Sequence, residues 1–386
     1  MSQQRSDLSP AVLSRLFAPD ALRGLIMALM ALDHANLFVA HKHPTGEVWG
    51  GPFPMYYDAL TFLTRLVTHL CPTGFFFLMG VGMALLARSY IKQGWSRWAI
   101  TRHLAVRGAL LMALQLLVVN RAWELSPGGW GIQIYIGVLF ALGLNMVLGS
   151  LLLWLKPAHL LGLTAVLVLV TELLVPDPSA WGPGSTTPLL HVFLLPGGVV
   201  GPQGQMQLWA YYPALPWLEL VTFGLAFGAW LDEDARAAYG RAWKIGLALL
   251  AAFVVVRYVD GFGNIRPRMG DTWIDFLNVV KYPPSIAYTT LTLGINLLLL
   301  AGLARAGAGL RRLLQPLVVL GRAPLLFYVL HLFLYVALGR WFAPNGTSIP
   351  QMWTLWLLGV LLLWPLCLWY GGFKRRQPLG SVLRYF

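Results

Sequence analysis

The chain reads as an all-α, polytopic integral membrane protein with about ten transmembrane helices and both termini in the cytoplasm. Three observations predict this: composition, the spacing of apolar stretches, and the placement of cations. Hydrophobic residues make up 58% of the 386 and charged residues 11%, with a mean hydropathy of +0.65. That leaves too little polar surface to cover a water-soluble globule, so lipid must solvate much of it. Seventeen Trp and fourteen Tyr suit the aromatic belts at headgroup depth, and membrane helices tolerate the 40 Gly and 25 Pro.

Apolar stretches of spanning length fall at about residues 21–41, 59–87, 99–120, 131–155, 157–175, 209–231, 243–258, 285–303, 316–340 and 350–370. The first lacks a small-residue cleavage site after it and is read as a retained anchor. The second and ninth carry charges, and only Lys156-Pro157 separates the fourth from the fifth. Counting Lys and Arg alone, eighteen lie on the side of the N-terminus and seven on the other: Lys42, Arg121, Arg257, Arg266, Arg268, Lys281 and Arg340. The positive-inside rule then sets the N-in, C-in orientation. The whole of 1–386 is taken as a single transmembrane domain, with core motifs in 15–120 and residues 316–340 lining the same cavity.

The formal charge of +13 is dispersed among apolar spans, not gathered into a stripe with interleaved aromatics, so nucleic acid is not an expected partner. Cys71 and Cys367 both lie in apolar stretches, which excludes a disulfide framework. The long outer loop from Val175 to Leu208 has no Lys or Arg and is rich in Pro and Gly, a length more often functional than not. A second outer segment, Asp260 to Pro284, combines Arg266, Arg268, Asp271, Trp273 and Asp275. That composition suits gripping polar or sugar-like groups, and equally a solvated loop. No internal repeat is visible, which disfavours inverted-repeat transporters.

Ionisable groups within spans are expensive unless paired or facing a wet cavity, and so mark candidate sites. In the first span Asp20 and Arg23 open the helix, and Asp33 and His34 come near its outer end. Arg23 and His34 are eleven residues apart, three turns to within about 20°, which places them on one face about 16 Å apart. Arg65 and His69 in the second span also share a face, and Pro72 is expected to break the helix just past His69, which suits a cavity lining. In the ninth span Arg322 lies near the inner end and Tyr328 and His331 deeper, His331 about 22 Å from Pro316 along a continuous helix. Arg107 adds a cation in the third. Three histidines, His34, His69 and His331, are therefore expected to converge in the outer half, and Arg23, Arg107 and Arg322 in the inner half. Arginine forks bind phosphates, and neutral imidazole is the usual base toward an attacking hydroxyl or amine. No metal is expected, because the histidines lack metal-ligand spacing.

At these residues the sequence resembles a known group. Asp20-Ala-Leu-Arg23-Gly24 followed by His34 is similar to the D-x-x-R-G…H opening of transmembrane acyltransferases. Arg65 to Gly80 (RLVTHLCPTGFFFLMG), Tyr212 to Trp217, Lys281 to Ser285 and Gly321 to His331 resemble bacterial relatives of heparan-alpha-glucosaminide N-acetyltransferase. The resemblance implies transfer of an acyl group, expected to be acetyl, from cytoplasmic acetyl-CoA to a sugar or glycan acceptor at the periplasmic face of the inner membrane. Carried over, His34 is the catalytic base, with His41 and His43 alternative counterparts of the family's histidine. Asp33 is a further catalytic candidate, although it points about 100° from His34 and is not assumed to orient it. His69 or Arg65 would stabilise the oxyanion. Asp20, Arg23, Arg107 and Arg322 would hold the donor, and His331, Tyr328, Lys281 and Trp49 the acceptor. Direct attack and a ping-pong route through an acyl-histidine both fit. The alternative is a transporter or flippase for a glycan, lipid or organic acid, which would use the same buried pairs. Membrane lipids are partners on either reading, and a homo-oligomer is compatible with both.

Overall fold

The computed structural model describes residues 10–44, 47, 49–126, 134–175, 193–195, 197–201 and 206–377, the side chains of 10–16 and 375 excepted. It is mostly helical, and nine helical segments among the described residues are long and apolar enough to cross a membrane. The chain is thus a multi-pass membrane protein. Its peripheral helices expose Leu173, Val255, Leu361 and Trp369 at 61–66%, a surface stable in lipid and a liability in water.

Helix α1 (Pro10–Ala35) ends in a π-helical turn, Asn36–Ala40. It starts earlier than the expected residue 21. The second span is two helices, α2 (Ala59–Thr68) and α3 (Leu70–Lys92), divided at His69. The expected break falls at His69 itself, because Pro72 has no N–H for the carbonyl of Thr68 and its ring crowds that carbonyl. The backbone groups around the break find side-chain partners. Tyr288 donates its hydroxyl to the carbonyl of His69 at 2.8 Å, and Asn296 donates to that of Leu70 at 3.0 Å. Asp58 caps α2 by accepting from the Thr61 amide.

The third span runs Arg97–Glu124 as α4 (Arg97–Leu114), a π-helical turn and α5 (Asn120–Glu124). The stretch expected as one span over 131–155 is divided. Strand β1 (Ile134–Ile136) is followed by α6 (Val138–Leu152), 15 residues long and shorter than a full crossing. Gly137 between them is extended, with φ −88° and ψ −169°, so the helix cannot begin before it. Next come α7 (Pro157–Leu174), strands β2 (Gly198–Val200) and β3 (Leu208–Ala210), α8 (Ala214–Glu233) and α9 (Ala235–Val259). The strands form a sheet ordered β1-β3-β2, with Ile134 opposite Leu208 in a parallel pair and Val199 opposite Trp209 in an antiparallel one. Most of the 175–208 loop lies outside the described residues.

A short helix α10 (Trp273–Leu277) precedes α11 (Ile286–Ala304) and the brief α12 (Ala308–Leu313). The stretch expected as one span over 316–340 is broken into α13 (Gln315–Arg322) and α14 (Pro324–Phe342). Pro324 disfavours the helical region for the residue before it, and Ala323 sits at φ −123°, ψ 47°. The final helix is α15 (Ile349–Arg376). Helix α1 is central and packs against α3, α11, α13, α14 and α15.

Candidate active site

Two consecutive residues on α1 point into two different networks, as the 100° step of a helix requires. The first is ionic. Asp33 meets the guanidinium of Arg65, accepts from Thr68 Oγ1 at 2.9 Å, and lies 3.5 Å from Lys281 Nζ and 3.6 Å from His43 Nε2. Arg65 also donates from Nε to Glu47 Oε1 at 2.8 Å and from a terminal nitrogen to Glu47 Oε2. The Arg65 and Glu47 side chains are 1% and 2% exposed. Two carboxylates thus face two cations, the arrangement that makes charge burial tolerable. Burial alone would push the Glu47 carboxyl up, but Arg65 and His69 more than reverse this and hold it well below the usual range. Burial and the Arg65 charge lower the His43 imidazole, against the pull of Asp33.

His69 sits at the end of this network, with Nε2 3.3 Å from Glu47 Oε1. A carboxylate accepts, so a neutral His69 carries its proton on Nε2 and presents a lone pair at Nδ1, a buried atom with no hydrogen-bond partner among the described residues. Arg65 spends its donors on Asp33, Glu47 and Thr68. These bonds use four of the five guanidinium N–H groups, and His69 directs Nε2 at Glu47.

The second network is aromatic. His34 Nδ1 is 2.7 Å from His331 Nε2, and His331 Nδ1 is 2.9 Å from the carbonyl of Phe327 one turn back on α14. Phe38 stacks beside the His34 ring at 6.0 Å and Trp123 meets it edge-on at 5.7 Å. His331 is fully buried and His34 half-buried. Tyr328, at 5.6 Å from His331, completes this wall. His34 and His331 therefore meet as expected, whereas His69 belongs to the ionic network.

At the other end of α1, Asp20 accepts from Arg23 at 3.2 Å and from Arg322 at 3.0 Å, and Arg23 also donates to the carbonyl of Gly321. The backbones come very close here. A Cβ on Gly24 would lie 1.8 Å from the carbonyl oxygen of Leu317, and one on Gly321 would lie 1.9 Å from that of Asp20. Glycine at both positions lets α13 lie directly on α1. Arg107, on α4, lies within electrostatic range of His103 on the same helix and of Tyr370 on α15.

The residues expected to contact an acceptor are distributed unevenly. Lys281 is buried within the ionic network, Tyr328 lines the aromatic one, and Trp49 is half-buried in the loop that carries Glu47. Besides Lys281, which reaches Asp33 on α1, several polar groups of the 260–284 segment bond within the segment or to that loop. Buried Arg257 donates to Asn264 and to the carbonyls of Asp275, Phe276 and Asn278, Arg266 donates to the carbonyl of Gly51 at 2.7 Å, and Asn278 donates to that of Pro54 at 2.8 Å. Sequence reading missed Glu47 and Thr68. Thr68 could have been found three residues after Arg65 on the same helix face. Glu47 lies in a loop, where no periodicity announces a partner.

Among the described residues no group of three or more His, Cys, Asp or Glu is placed to hold a metal ion. Residues 15–256, more than half of the chain, match the family described as "Heparan-alpha-glucosaminide N-acetyltransferase, catalytic". The match takes in Asp20, Arg23, Asp33, His34, Glu47, Arg65, His69 and Arg107; Lys281, Arg322 and His331 lie beyond it. A curated protein named Na(+)/H(+) antiporter NhaA 2, from Pseudomonas syringae pv. syringae (strain B728a), is 31% identical over 146 residues, 36% of this chain. The aligned part covers 35% of that protein's length.

Proposed function

Since this chain belongs to the heparan-alpha-glucosaminide N-acetyltransferase catalytic family, whose acetyl donor is acetyl-CoA, we propose that it is a membrane acetyltransferase with His34 as its base. The acetyl group would pass from cytoplasmic acetyl-CoA to a hydroxyl or amine of a sugar or glycan at the periplasmic face of the inner membrane, with both termini inside. The observation that carries this reading is the setting of His34. It is half-buried among aromatic rings, hydrogen-bonded to a second imidazole, and on the same helix as Asp20 and Arg23, which Arg322 reaches from α13.

Arg23 and Arg322 would bind donor phosphates. The acceptor oxygen or nitrogen attacks the thioester carbonyl carbon while His34 takes its proton. The new C–O or C–N bond forms, the C–S bond breaks, and the thiolate of CoA leaves and is protonated. Asp33, Glu47, Arg65, Lys281 and His69 would hold α1, α2 and the intervening loop in register around that reaction. Tyr328 and Trp49 would face the acceptor.

The test is to incubate purified protein with acetyl-labelled acetyl-CoA and envelope glycans. Wild type should transfer label and His34→Ala should lose at least about 100-fold, the lower range of a general base's contribution. Equal label transfer by both proteins would remove His34 from the chemistry. Label held on the protein without acceptor, and absent from His34→Ala, would identify the acyl-histidine route.

A further inference from the structure

We propose that His331 is a positioning residue that fixes the tautomer of His34, so that Nε2 is the nitrogen of His34 that acts on the acceptor. The inference rests on the acetyltransferase reading for what that nitrogen does, and on hydrogen-bond direction alone for which nitrogen it is.

The chain of bonds runs one way. The carbonyl of Phe327 can only accept, so His331 Nδ1, 2.9 Å away, carries a hydrogen. A neutral His331 then has its lone pair on Nε2. That atom lies 2.7 Å from His34 Nδ1, which must be the donor. The remaining nitrogen of His34, Nε2, is left with a lone pair and has no hydrogen-bond partner among the described residues. A second proton on His331 would reverse the bond. It would also place a cation at a fully buried position among Phe327, Tyr328 and Tyr335, with no carboxylate in ion-pair range among the described residues. Asp33 is directed instead to Arg65, Thr68, Lys281 and His43.

The arrangement has the logic of a carboxylate behind a catalytic histidine, which selects tautomer and ring orientation. Here a backbone carbonyl acting through an uncharged imidazole does the same. It also explains how a residue some 300 positions away in the sequence, on α14, enters the site without facing solvent.

The test uses full-length protein labelled with 15N at histidine, in detergent, with His34→Ala to assign the His34 signals. Wild-type His34 should show a protonated Nδ1 and an unprotonated Nε2 at pH 8, and a proton on Nε2 instead would overturn the proposal. Replacing His331 by Phe, which keeps a ring and removes the acceptor, should lower kcat by about 10- to 100-fold, the usual effect of losing a partner that orients a ligand. KM for acetyl-CoA should stay within about threefold. His331→Gln, which can return an acceptor oxygen to the same place, should recover most of kcat; equal kcat in the Phe variant and wild type would overturn the proposal. A wild type that moves no acetyl group would sink the enzymatic reading alone, since the nitrogen spectrum decides the tautomer by itself.

Discussion

Glu47 closes both carboxylate oxygens on the guanidinium of Arg65, and both side chains are almost wholly buried. The pair joins the loop after α1 to the face of α2, and Asp33 on α1 completes it. Removing the cation alone would strand two carboxylates. Arg65→Leu is therefore expected to destabilise the protein by about 3–5 kcal/mol, the usual cost of breaking a buried pair. Thermal denaturation in detergent should show it. Glu47→Gln keeps hydrogen-bonding capacity and should lower the midpoint less.

Glycine at 24 and 321 is required by contact between backbones, not by turn geometry. Gly321→Ala must push α13 off α1 and carry Arg322 away from Asp20. Destabilisation of about 1–3 kcal/mol, as for overpacking, is expected. On the proposed reading, KM for acetyl-CoA should rise as well.

Binding of donor phosphates by the same pair predicts a separation of kinetic constants. Arg23→Gln should raise KM for acetyl-CoA several-fold while leaving kcat largely intact, because the phosphates are held alike in ground and transition states. A fall in kcat with unchanged KM would place Arg23 elsewhere in the reaction.

His43 gives the protein a pH-dependent stability of defined sign. Its folded pKa is lowered from 6.5, by burial first and then by Arg65. Between that lowered value and 6.5 the unfolded chain binds more protons than the folded one. Stability should thus be complete above 6.5 and decline as pH falls through the window. His43→Gln should flatten this part of the profile. The depressed carboxyl of Glu47 acts lower down, contributing stability above the usual 4.5 that is lost as pH falls toward its folded value.

The break at His69 is held by side chains from α11. Tyr288→Phe leaves the carbonyl of His69 without its 2.8 Å donor. The expected cost is about 1–3 kcal/mol, the penalty for an unsatisfied buried acceptor. Hydrogen exchange at the start of α3 should quicken in the same variant.

Helices were the most legible part of the chain, since apolar length and charge placement are physical requirements of a bilayer. Breaks were read less well. Pro72 announced one at His69, but the extended Gly137 and the Ala323–Pro324 junction divided stretches that composition alone left whole. Site residues followed the same division. His34 and Arg23, or Arg65 and His69, could be placed on common faces from spacing, and His331 was expected at the depth where it meets His34. Glu47 was invisible because a loop has no period, and composition left the 260–284 segment open between gripping a polar ligand and a solvated loop, without announcing the bonds of Arg266 and Asn278 to the carbonyls of Gly51 and Pro54.

The two networks on α1 have a mechanical corollary. Asp33 is tied on one side of the helix and His34 on another, and neighbouring side chains cannot both be improved by the same turn about the axis. Any twist that eased the charges around Arg65 would pull the imidazole off His331, and the reverse twist would do the opposite. The azimuth of the central helix is thus pinned at two angles, and a loop residue as distant in kind as Glu47 helps to aim the ring.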